Sequence, residues 1–311
     1  MSHAVTPTAP TPDSQHDPAA HAFTALVDLA QERLGGRALA ASDEFFAGKE
    51  NLLKPGRGVF IAEKFTDNGK WMDGWETRRK RVPGHDWCIV KLGAPGVIHG
   101  VDVDTNHFLG NYPELCALDA IRADADPAPG GVGVPPEMGS GWTEILPLAA
   151  LRGGARNLFE VASRERWTHV RLRIIPDGGV ARLRVHGEVA ADWERLLASG
   201  SPVDLAAIEN GGEVVLVADM FFGHRENLIM PGRAANMGEG WETRRRRGPG
   251  NDWAIVKLGR AGVIEKIEVD TNHFKGNFPE SCSVEGTTLE SACPAEMLAS
   301  RAIAWTEVVP R

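Results

Sequence analysis

The stretch VDTNHFLGNYPE at residues 103–114 returns almost unchanged as VDTNHFKGNFPE at residues 269–280. Working outward from it with Trp75 over Trp241, an offset of 166, residues 74–116 and 240–282 are identical at 30 of 43 positions. Upstream, DEFFAGKENLLKPGR from Asp43 matches DMFFGHRENLIMPGR from Asp219 at an offset of 176, so the first copy carries ten extra residues around FTDNGKWMDG. Those ten read as a loop. Downstream, WTEILP from Trp142 pairs with WTEVVP from Trp305. A unit this long is no turn of a solenoid, so each copy is expected to be a domain with its own core. A length of 311 residues fits two such domains.

Within the repeat the local pattern is that of strands. The segment GVIEKIEVDTNHF places Val263, Ile267, Val269 and Thr271 on one alternating face, with Lys266, Glu268, Asp270 and Asn272 on the other. THVRLRIIPDGGVARLRVHGE reads as a hairpin, two alternating runs around Pro176, Asp177, Gly178 and Gly179. Short strands broken by Gly and Pro predict a mainly β chain with one β-sandwich per repeat. Helices are expected over residues 22–34 and 192–198. The resulting organisation is a flexible tail with a short helix (1–35), a first repeat (36–190), a linker (191–211) and a second repeat (212–311).

Composition narrows the partners. A net charge of -8 with no long basic run argues against nucleic acid or an anionic membrane. The N-terminal segment lacks a basic n-region and a continuous apolar core, and no later segment is apolar for long enough to span a bilayer. Cys88, Cys116, Cys282 and Cys293 show no CxxC spacing and read as reduced thiols of a cytoplasmic protein.

Two motifs carry chemistry. In WETRR, Glu76 and Arg78 (Glu242 and Arg244 in the second copy) fit a strand whose outer face pairs them while Trp75 packs inward. They fit equally a site in which Arg78 or Arg79 (Arg244 or Arg245) grips a carboxylate and the glutamate works as an acid or base. In VDTNHF, an ideal strand would point Asp104 and Asn106 one way and Thr105 and His107 the other, so a shared site requires the strand to end or bulge there. The nearby Gly110, Asn111 and Pro113 predict that it ends. Asp104 and Asn106 (Asp270 and Asn272) suit turn amides. His107 and Glu114 (His273 and Glu280) are harder to place by structure alone. HExxH, GxSxG, a P-loop and a dinucleotide fingerprint are missing. A divalent cation is compatible with the His, Asp and Glu present, but no ligand spacing supports one.

GWETRR, DWxIVKLG, VDTNHFxGNxPE and HVRLRIIPDGGVARLRV, in that order across roughly residues 40–311, resemble the allantoicase family. The resemblance implies tandem jelly-roll-like sandwiches, similar to galactose-binding modules, and hydrolysis of allantoate to ureidoglycolate and urea in purine breakdown. It also implies association into a homo-oligomer and a small ureide as substrate; the sequence itself requires no cofactor. Against that chemistry Arg78, Arg79, Arg244 and Arg245 are candidates for the carboxylate, and Asp104, Asn106, Asp270 and Asn272 for the ureido groups. Glu76, His107, Glu114, Glu242, His273 and Glu280 are candidates for proton transfer. A non-catalytic sandwich that binds a carbohydrate or ureide is the competing reading, since fold does not fix function. After Trp142 the first copy continues through the PDGG segment, whereas the second copy ends six residues after Trp305 at Arg311. The second sandwich is therefore expected to lack its closing strands.

Overall fold

The structure is a computed structural model that describes residues 21–126, 141–289, 293–300 and 302–311. The chain divides into two units, Met1–Ala190 and Ala191–Arg311. In the first, the strands are β1 (Val27–Asp28), β2 (Arg37–Ala41), β3 (Phe65–Thr66), β4 (Gly69–Lys70), β5 (Trp75–Glu76) and β6 (Asp86–Asp104). They continue with β7 (Leu115–Ile121), β8 (Thr143–Ala150), β9 (Leu158–Glu160), β10 (Arg166–Ile175), β11 (Gly179–Val180) and β12 (Arg182–Val189).

The 19-residue β6 organises this unit. Its first half pairs with β2 and β10, and its second half with β12 and β9. The ladder to β10 breaks register opposite residues 92–95, where Pro95 has no amide to donate. The sheet order is β1–β12–β6–β10–β7–β8, antiparallel throughout. Cys88 and Val90 from one end of β6 and Ile98, Val101 and Val103 from the other lie in one buried cluster with Leu118, Leu172, Ile174, Leu183, Val185 and Trp75. Both halves of β6 therefore face one core. Burying each large aliphatic side chain contributes about 1.5–3 kcal/mol.

Two local expectations are corrected. The runs on either side of PDGG form β10 and β12, but these strands flank β6 instead of pairing with each other. The segment between them is captured elsewhere: Gly179 and Val180 pair with Glu76 and Trp75 of β5, and the Thr77 amide donates to the Gly178 carbonyl. Alternation records that a strand has one buried face, not which strand lies beside it. Residues 22–34 form no α-helix. Two 3-10 turns, Ala22–Ala25 and Glu32–Leu34, flank β1, and the amide of Leu29 donates to the Val185 carbonyl. Backbone groups that a helix would use internally are spent on β12. The expected tail at residues 1–20 lies outside the described residues.

The second unit holds α1 (Trp193–Ala198), as expected, with the Asp192 carboxylate accepting from the Arg195 amide at 3.0 Å. Residues 191–211, expected as a linker, belong to this unit: Ile208 is buried and the Leu205 carbonyl accepts from Gly259. β13 (Glu213–Val217) pairs with β14 (Ala254–Lys257), and β15 (Val284–Gly286) with β16 (Thr306–Val309). The alternating stretch around Val263–Val269 is not a strand, another departure from expectation. Val269 is 56% exposed, whereas its counterpart Val103 is fully buried. β9 and β12 supply the hydrogen bonds that make residues 96–104 a strand, and no described segment lies along residues 262–270.

Candidate active site

β6 ends at Asp104, and the chain then turns on its way to β7. The Asp104 carboxylate, 2% exposed, accepts from Arg57 Nε at 2.8 Å and Nη2 at 3.0 Å, and from the Asn106 amide at 2.9 Å. That last bond is an Asx turn, and it ends the strand alternation. His107 then takes a left-handed φ of 69°. The two side chains that a strand would send to opposite faces converge: Asn106 Nδ2 at 2.8 Å and His107 Nε2 at 3.1 Å both meet the Gly58 carbonyl. A carbonyl only accepts, so Nε2 carries the proton and Nδ1 of the neutral ring is left as the basic nitrogen.

Glu76 of β5 accepts from Asn111 Nδ2 at 2.6 Å, which ties β5 to the same turn. Burial pushes the Glu76 carboxyl above its usual range, with the Asn111 hydrogen bond opposing it. Arg78 does not pair with Glu76. Its Nε and amide bind Asp43 at 2.7 and 3.0 Å, and its guanidinium lies 5.2 Å from the Phe45 ring centre. Burial opposes ionisation of Asp43, but the Arg78 contacts and the Phe45 amide outweigh it and hold the carboxyl below the usual range. Arg79 and Glu114 point into solvent.

The second unit repeats this arrangement bond for bond. Asp270 accepts from Arg233 at 3.0 and 3.3 Å and from the Asn272 amide at 2.8 Å. Asn272 Nδ2 and His273 Nε2 reach the Ala234 carbonyl at 3.3 and 2.9 Å, and Asn277 donates to Glu242 at 2.7 Å. Arg244 binds Asp219 at 2.8 Å and lies 5.1 Å from Phe221, while Arg245 and Glu280 are exposed. The Arg244 hydrogen bonds lower the Asp219 pKa, and those of Arg233 lower that of Asp270. Among the described residues His107 and His273 are the only non-glycines with positive φ.

Sequence reasoning missed three members of each set: Arg57 and Arg233, Asn111 and Asn277, Asp43 and Asp219. All stood in view as duplicated residues, in PGR, in GNxPE and at the head of DxFF. No three His, Cys, Asp or Glu side chains among the described residues come together as metal ligands.

The profile of the allantoicase repeat matches residues 27–190 and again residues 203–311. The chain belongs to the allantoicase family. It is 51% identical over 290 residues to probable allantoicase 2 of Burkholderia mallei, covering 93% of this chain and 83% of that protein. It is 48% identical over 295 residues to the allantoicase of Dictyostelium discoideum, covering 94% and 78%. The crystal structure of allantoicase from Saccharomyces cerevisiae matches with a TM-score of 0.75 at 36% identity, over 95% of this chain and 85% of that one. The tandem sandwich repeats expected from the sequence are those of an allantoicase. The first matched repeat opens at residue 27, so it takes in β1 and its pairing to β12.

Proposed function

We infer that the protein is a hydrolase that converts allantoate to ureidoglycolate and urea. The observation that carries this reading is half-identity, along nearly the whole chain, to proteins named allantoicase. In the reaction the bond from the central carbon to one ureido nitrogen breaks and a bond to a water oxygen forms. The water loses a proton and the departing urea nitrogen gains one.

The duplicated turn offers groups suited to each of those events. Nδ1 of His107 suits the proton taken from water. Glu76, whose burial favours the protonated carboxyl, suits the proton given to urea. General acid–base help of this kind is typically worth roughly 10²- to 10⁴-fold. Arg79 suits the substrate carboxylate, because Arg78 is already engaged with Asp43. Asp104 and Arg57 act at one remove, by fixing the turn that aims Asn106 and His107. Glu242, His273 and Arg245 are the equivalents in the second unit. Purified protein given allantoate is expected to release urea stoichiometrically with ureidoglycolate. Binding in a calorimeter with no urea above the blank would instead make the protein a ureide-binding module.

The same reading makes the protein a cytoplasmic homo-oligomer. All four cysteines are free thiols, which suits a reducing compartment, and no helix among the described residues is long and apolar enough to cross a membrane.

A further inference from the structure

The two copies of the turn share these hydrogen bonds and differ in the loop that leads away from them. Gly58 and Ala234 are equivalent, since each presents the carbonyl that takes the Asn and His side chains. Between that residue and the next repeat-paired tryptophan, Trp75 or Trp241, the first repeat holds its ten extra residues. Both loops are tied at the same base, Val59 amide to Asp73 at 3.0 Å and Ala235 amide to Glu239 at 2.8 Å. The extra residues therefore project from a shared base as the β3–β4 hairpin and do not reshape it.

The segment between that base and the hairpin is apolar, and it lies against the turn. The ring of Phe60 lies 5.7 Å from the His107 imidazole with the planes 30° apart, and Phe60 is 50% exposed. Lys70 Nζ stands 5.0 Å from the Phe60 ring centre and 4.4 Å from that of Phe65. Val59, Ile61 and Phe65 continue the exposed apolar surface. In the second copy no described aromatic ring lies against His273. There the shorter loop brings Met237 to Asn277, thioether to side-chain amide, at 3.5 Å.

Half-exposed aromatic and aliphatic groups on a surface loop add little to the fold, but a mostly apolar wall beside a few convergent polar groups is the usual make-up of a small-molecule site. Allantoate has two flat ureido groups and one carboxylate. A ring face accepts the first, and an ammonium beside it adds longer-range attraction for the anion whose carboxylate Arg79 receives. We propose that Phe60 is a specificity-determining residue of the first-repeat site, forming with Lys70 a wall against which one ureido group of the substrate lies, and that the two copies are therefore unequal. The proposal rests on the reading of His107 as a working group.

The test uses the full chain and allantoate. Phe60→Ala is expected to raise KM about three- to tenfold with a smaller change in kcat, and Phe60→Tyr to restore it, the size expected of one aromatic contact. Lys70→Met should raise KM and weaken its dependence on salt. His107→Asn should lower kcat/KM at least tenfold more than His273→Asn. An unchanged KM in Phe60→Ala, or a Tm loss alone, would overturn the wall. Equal losses in the two histidine variants would overturn the inequality. Should the wild-type chain release no urea, the functional reading fails separately. Calorimetric titration with allantoate then decides this one: weaker binding by Phe60→Ala supports it, and equal or absent binding overturns it.

Discussion

At the scale of single residues, the left-handed backbone of His107 and His273 constrains substitution more than burial does, because both side chains are exposed. Asn tolerates this conformation, whereas a β-branched residue is strained there. His107→Asn should keep the melting temperature close to wild type while lowering kcat, and His107→Val should cost about 1–2 kcal/mol of stability, read by urea denaturation. Glu76 makes a second prediction. Burial raises its folded-state pKa, so above the ordinary glutamate pKa of 4.5 the folded protein holds a proton that the unfolded chain releases. Stability then falls as pH rises from 4.5 through the raised value. Glu76→Gln keeps an acceptor for Asn111 and removes this loss, so its gain in Tm over wild type should be larger at pH 7 than at pH 4. A gain independent of pH would place the effect elsewhere. The sequence made Asp104, Asn106 and His107 legible because duplication marked them and glycine and proline announced the end of the strand. Arg57 was marked by duplication as well, but its contact with Asp104 was illegible because the two lie 47 positions apart, and no periodicity reports a contact at that separation.

At the scale of elements, equivalent segments identical at five of nine positions have taken different structures. Residues 96–104 are strand, and the equivalent 262–270 are not. Strand character is supplied by neighbours as much as by β-branched residues. Amides in residues 262–270 should exchange with deuterium orders of magnitude faster than those in 96–104, measured by mass spectrometry on the intact chain. Equal protection would mean that another segment or chain covers the second stretch. The same dependence on neighbours explains what the alternating pattern told and what it withheld. It placed β10 and β12 within a residue or two, and it assigned them to each other because β6, their true neighbour, lies more than sixty positions earlier. The 22–34 segment misled in the opposite way, since its apolar spacing suits a helix until β12 takes the Leu29 amide.

At the scale of the molecule, the duplicated unit and the family were both legible, because long motifs in fixed order are specific. Association is expected from the family resemblance alone, since nothing in a repeat alignment distinguishes a surface that meets water from one that meets a copy. Light scattering at micromolar concentration is expected to give a multiple of 33.6 kDa, and a monomer mass would contradict the homo-oligomer. The order in which β6 acquires its neighbours bears on biosynthesis. The strand is complete once residue 104 leaves the ribosome, but β12, which covers its second half, is finished only at residue 189. At roughly 5–20 residues per second, that half waits for on the order of 4–17 s with its edge open. An open edge of alternating valines is a template for other nascent chains. The yield of soluble protein should therefore be set during translation, by how quickly chaperones reach residues 96–104, more than by the equilibrium stability of the finished fold.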